Sequence, residues 1–218
     1  MLFFFLLSAL AHAQAVEVVV VASTLPTPLA DNTNYVLSAT ISLSGAGDYV
    51  GQGNTTITCN TKPCFDVNLT TSGNVLFANV TFDLPSSGNL SSGTFPLFRV
   101  RNVGHLEVSN VSFRDTQTGS VELVQWRAAG GNLTIRGLGS AAAPVGFGSL
   151  LGAVTPAQVD ALVFKDSHGA CLSDCFTVTT VDGRVPQPSI TFDNVHWRQN
   201  GPAAAQLIRR LGFLLNCC

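Results

Sequence analysis

Five short segments of this chain share one pattern, and the phase of that pattern restricts the fold more than any other feature. They are Val75 to Phe82 (VLFANVTF), Leu106 to Phe113 (LEVSNVSF), Leu133 to Leu138 (LTIRGL), Leu162 to Ser167 (LVFKDS) and Ile190 to Trp197 (ITFDNVHW). Each opens apolar-x-apolar and then reaches Asn79, Asn110, Gly137, Asp166 or Asn194, positions spaced 31, 27, 29 and 28 residues apart. Such spacing lies in the range of repeat architectures built from stacked supersecondary units.

Successive side chains of a strand point to opposite faces, so Val75 and Phe77 share one face, and an unbroken strand would send Val80 and Phe82 to the other. Both pairs can look into one core only if residue 79 makes a bend that resets the phase. Such a bend puts one residue in the left-handed region, which Gly, Asn and Asp tolerate far better than other residues. All five bend positions carry one of these three. Stacked coils would then set each strand about 4.8 Å from its counterpart in a parallel sheet. The bend asparagines are expected to turn inward and hydrogen-bond along the stack.

These segments and their bends resemble the right-handed parallel β-helix superfamily, which includes pectate-lyase-like and polygalacturonase-like proteins with asparagine ladders at their bends. The resemblance covers most of Thr55 to Asn200 and implies an all-β, right-handed parallel β-helix solenoid. Its motif is one of fold, not of catalysis. Phe95 to Val100 and Val121 to Trp126 would supply other faces of the coils. An antiparallel sandwich, also made of short strands and polar turns, is the competing architecture.

The rest of the chain divides around the coils of residues 55–200. Residues 1–13 read as a signal peptide, an apolar run from Leu2 to Ala11 ending in the small-x-small sequence Ala11-His12-Ala13. That run is half of the roughly 20 residues a membrane span needs, so no span is expected after cleavage. Residues 14–54 read as an N-terminal cap and first strands, with β-branched Val16 to Ala22 and the alternating stretch Asn34 to Ser44. In residues 201–218, Leu207, Ile208, Leu211, Leu214 and Leu215 fall at helical spacing with Gln206, Arg209 and Arg210 opposite, which predicts a short amphipathic helix or tail capping the open end. The stop at Cys218 leaves room for further coils of a longer solenoid.

Six cysteines, an even number, suit an oxidising compartment. Cys59 with Cys64, and Cys171 with Cys175, enclose short loops that local disulfides could close; the same four thiolates holding zinc is the competing reading. Adjacent Cys217 and Cys218 could join each other only with strain. Sequons stand at Asn54, Asn68, Asn79, Asn89, Asn110 and Asn132. Asn54, Asn68, Asn89 and Asn132 are the expected glycan acceptors, since Asn79 and Asn110 are assigned to bends.

Only 11% of residues are charged and the net charge is -2, so the chain offers no basic stripe for nucleic acid. Lys165-Asp166-Ser167-His168-Gly169 looks like the His-Gly element of polygalacturonases, which makes Asp166 and His168 the catalytic candidates. The accompanying Asn-Thr-Asp, Asp-Asp and Arg-Ile-Lys elements are missing, and inverting hydrolysis needs an acid and a base on opposite sides of the bond. Neither a metal site nor a cofactor motif is evident. The expectation is therefore a secreted, glycosylated module, extracellular or in the cell wall, that binds a polysaccharide or a cell-surface partner without catalysis. A diverged polysaccharide lyase or glycoside hydrolase, or an adhesion module of a larger protein, is the alternative. Convergence of Asp160, Asp166, Asp174, Asp182 and Arg184 in one groove would favour an enzyme.

Overall fold

A computed structural model describes residues 16–20, 24–84, 95–114, 121–153, 159–171, 175–179, 188–199 and 208–211. After β1 (Val16–Val20), the chain passes from β2 to β13 repeatedly through three sheets, A, B and C, in that order. The first coil is β2 (Thr33–Leu37), β3 (Ile41–Leu43) and β4 (Gly47–Val50), and the second is β5 (Thr56–Cys59), β6 (Phe65–Asn68) and β7 (Asn74–Ala78). Next come β8 (Thr81–Asp83), β9 (Phe95–Asn102) and β10 (His105–Ser109), then β11 (Ser112–Arg114), β12 (Val121–Trp126) and β13 (Asn132–Arg136). β14 (Val145–Phe147), β15 (Ser149–Ala153), β16 (Ala161–Cys171), β17 (Phe176–Thr179), β18 (Ser189–Gln199) and β19 (Ile208–Leu211) continue the course.

Every strand pairing among the described residues is parallel. Sheet A runs β1-β2-β5-β8-β11, sheet B runs β3-β6-β9-β12-β15-β17-β19, and sheet C runs β4-β7-β10-β13-β16, with β14 and β18 also paired to β16. The molecule is a parallel β-solenoid, and the antiparallel sandwich is excluded. Coiling begins at β2, within the stretch read as cap and first strands.

All five bends adopt the expected backbone: φ is 55° at Asn79, 50° at Asn110, 65° at Gly137, 47° at Asp166 and 51° at Asn194. Val75, Phe77, Val80 and Phe82 are all buried, as the phase argument requires. Backbone hydrogen bonds tie the bends together, with Asn79 N donating to Ser109 O at 3.1 Å and Asn110 N to Arg136 O at 2.9 Å. β16 and β18 run through their bends without a break; the half of β16 before the bend pairs with β13 and the half after it with β14, whose Phe147 packs against Phe113 of β11 in sheet A.

Two expectations are corrected. Asn79, Asn110, Asp166 and Asn194 are exposed rather than turned inward, because the residue that absorbs the phase shift projects away from the core its neighbours face. A ladder contact does form outside, where Asn194 Nδ2 donates to Asp166 Oδ1 at 2.7 Å. The second correction concerns the C-terminal segment. Ile208–Leu211 is a strand paired with Phe176–Thr179 and not a helix, since the ladder offers its backbone partners that outweigh the weak helical periodicity. Residues 201–207 and 212–218 lie outside the described residues.

Aromatic rings fill the core along the solenoid axis. Tyr49 stacks on Phe77 at 4.8 Å, Phe65 on Phe98 at 5.2 Å and Phe82 on Phe113 at 5.6 Å between ring centroids. Each buried Phe contributes about 1.5–3 kcal/mol by removal from water. Sheet B has a second phase reset, where the adjacent pairs Leu97-Phe98, Leu123-Val124 and Leu150-Leu151 are all buried.

Candidate functional site

Asp166 and His168 flank Ser167, whose hydroxyl is buried and donates to Lys165 O at 2.6 Å. The Asp166 carboxylate is engaged by Asn194. His168 stacks on His196, one coil along, with ring centroids 4.7 Å apart and planes at 20°. The two imidazoles, Arg198 and Trp197, with Ala141 and Pro144, line a cavity of about 540 Å³, and none of its described lining residues is acidic. Asp160 sits at the opposite end of the first half of β16, accepting from Gly131 N at 2.6 Å. Six residue steps of extended strand, roughly 20 Å, separate it from Asp166, so these two do not converge. Asp174, Asp182 and Arg184 lie outside the described residues.

A denser polar cluster forms on the outer face of sheet B from Asp66, Arg99, Arg101, Glu122, Gln125 and Arg127. Strand register sets Asp66, Arg99, Gln125 and Gly152 in one row across β6, β9, β12 and β15. Arg101 Nε donates to Asp66 Oδ1 at 3.0 Å, and Arg127 Nε donates to Gln125 Oε1 at 3.0 Å. Glu122 lies between inward-facing Val121 and Leu123, so alternation turns it outward, yet it is only 7% exposed. Burial pushes its carboxyl up to about 7, opposed by the Gly152 N–H, the nearby Arg127 charge and a hydrogen bond from the Gln125 side chain. Arg99 Nε is buried and has no hydrogen-bond partner. Sequence reasoning missed this cluster. Its signal was charged or amide residues at outward slots of successive sheet B strands, in a chain poor in charge.

The cysteine pairs occupy two coils. Cys171 and Cys175 form a disulfide with Cα atoms 5.5 Å apart. Cys59 and Cys64 are buried free thiols, Cys64 Sγ donating to Thr61 O at 3.5 Å, and burial first, then the neighbouring Cys64, pushes the Cys59 thiol up. β6 and β17, which follow the two pairs, are four strand steps apart in sheet B, roughly 19 Å, so the four sulfurs do not form one zinc site. Asn54, Asn68 and Asn132 are exposed, as are Asn79 and Asn110, and Asn89 lies outside the described residues. No helix among the described residues is long and apolar enough to cross a membrane. The chain matches no protein-family model, no curated protein and no solved structure.

Proposed function

We propose that this chain is an exported β-solenoid that binds a polysaccharide or a cell-surface partner through the outer face of sheet B, without catalysis. The observation carrying this reading is the cluster of Asp66, Arg99, Arg101, Glu122, Gln125 and Arg127 on adjacent parallel strands. Guanidinium forks and an amide held on a rigid ladder are suited to the hydroxyl and carboxylate groups of sugars. The exposed sequon asparagines Asn54, Asn68 and Asn132 and the Cys171–Cys175 disulfide support passage through a secretory route. The left-handed asparagine bends support kinship with the pectate-lyase-like superfamily.

A diverged lyase or hydrolase of that superfamily is the second reading, favoured by one observation: the Glu122 carboxyl is buried, which pushes it up to about 7, the range a general acid needs. A glycan array probed with the full chain, alongside release of reducing or unsaturated sugar ends, separates the two. Binding that drops at least tenfold when Arg99, Arg101 and Arg127 are changed together to Ala, without end release, supports the binding module. End release that disappears in Glu122→Gln supports the enzyme, and array binding indifferent to the arginine changes overturns the sheet B assignment.

A further inference from the structure

The two cysteine pairs sit at the same corner of the solenoid, in different coils. Cys59 ends β5 in sheet A and Cys64 immediately precedes Phe65, the first residue of β6 in sheet B. Cys171 ends β16, in the half paired with β14, whose Phe147 packs against Phe113 of β11 in sheet A, and Cys175 immediately precedes Phe176, the first residue of β17 in sheet B. The surroundings match as well. Cys59 pairs in register with Leu37 of the preceding coil, and Cys171 with Phe147 of its preceding coil. The Cys64 carbonyl accepts from Ile41 N at 2.9 Å, and the Cys175 carbonyl accepts from Leu150 N and Leu151 N at 2.8 and 2.9 Å, in each case the sheet B strand one coil back. All four sulfur-bearing residues are buried.

One of these equivalent pairs is bonded and the other is a pair of buried free thiols at the same two positions of the corner. We propose that Cys59 and Cys64 are a second site of disulfide formation, stapling the sheet A to sheet B corner of the second coil as Cys171 and Cys175 staple the later one. The reaction is thiol–disulfide exchange with a small disulfide oxidant such as oxidised glutathione. One cysteine thiolate attacks the oxidant and releases a glutathione thiolate, and the other cysteine then displaces the second glutathione from the mixed disulfide. Two S–H bonds are lost, one S–S bond forms, and the oxidant leaves as two thiols. Because the thiolate is the attacking species and burial disfavours it at Cys59, closure is expected while the corner is still open during folding and is slow once the coil has packed.

The test refolds the full reduced chain in a glutathione buffer until Cys171 and Cys175 resist alkylation, then denatures it, alkylates free thiols with iodoacetamide and maps the peptides by mass. The expected result is a peptide containing Cys59 and Cys64 that carries no alkyl group and is two hydrogens lighter than its reduced form. Folded, reduced protein given the same buffer should gain this mark at least tenfold more slowly. The proposal is overturned if both cysteines are alkylated while Cys171–Cys175 is closed, or if either is found joined to Cys217 or Cys218. Cys59→Ser, which leaves Cys64 alkylated and Cys171–Cys175 intact, checks the peptide assignment.

Discussion

The carboxylate of Glu122 occupies the space that a side chain at position 152 would require: a Cβ on Gly152 would collide with Glu122 Oε1 and Cδ. The same glycine's N–H is a hydrogen-bond donor to that carboxylate. The bare backbone therefore does two things at once, leaving room for the acid and supporting its charge.

Gly152→Ala should destabilise the protein by about 1–3 kcal/mol, the usual cost of forcing an extra methyl into packed surroundings. Urea unfolding would measure it. In the Glu122→Ala background the same change should cost much less, because the colliding group is gone, and the double-mutant cycle should return a coupling well above 0.5 kcal/mol.

Glu122 also predicts a pH dependence. Its carboxyl stands at about 7 in the folded protein against an ordinary value of 4.5, so the native state holds the proton more tightly than the unfolded chain. This contribution to stability is fully present below the ordinary value and is lost as pH rises through the folded one, up to about 3 kcal/mol in all. Glu122→Gln should therefore flatten the Tm profile between pH 5 and 8 and raise Tm at pH 8. Parallel profiles for the two proteins would refute the assignment.

At Asn79 the left-handed backbone sets the order of substitutions. Asn79→Gly should be nearly neutral, whereas Asn79→Val should cost on the order of 1–2 kcal/mol, since a β-branched residue resists positive φ. Chemical denaturation of the two variants would give the ranking.

Phe77 lies within ring-stacking range of Tyr49, Phe65 and Phe98, at centroid distances of 4.8, 4.7 and 4.9 Å. Phe77→Ala should cost about 3–5 kcal/mol through lost burial and the cavity left behind. A calorimetric Tm close to that of the parent would contradict the packing described.

The bends at Asn79, Asn110, Gly137, Asp166 and Asn194 were legible because two independent signals coincide there, a break in apolar phase and a residue tolerant of positive φ. The second reset, at Leu97-Phe98, Leu123-Val124 and Leu150-Leu151, has no such residue and was not readable. Ile208–Leu211 misled because four residues satisfy a helical spacing as easily as a strand whose partner, Phe176–Thr179, is distant in sequence. The sheet B cluster was hidden for a related reason. Asp66, Arg99 and Gln125 become neighbours only through strand register, and loops of unequal length between coils obscure that register in the sequence.

Because each coil touches only the coils before and after it, cohesion in this molecule is passed along from neighbour to neighbour and is not pooled in one centre. Such a chain should unzip from its ends rather than melt as a block. Amide protons of β7, β10 and β13 should outlast those of β1 and β19 in exchange with heavy water, with protection graded along the axis.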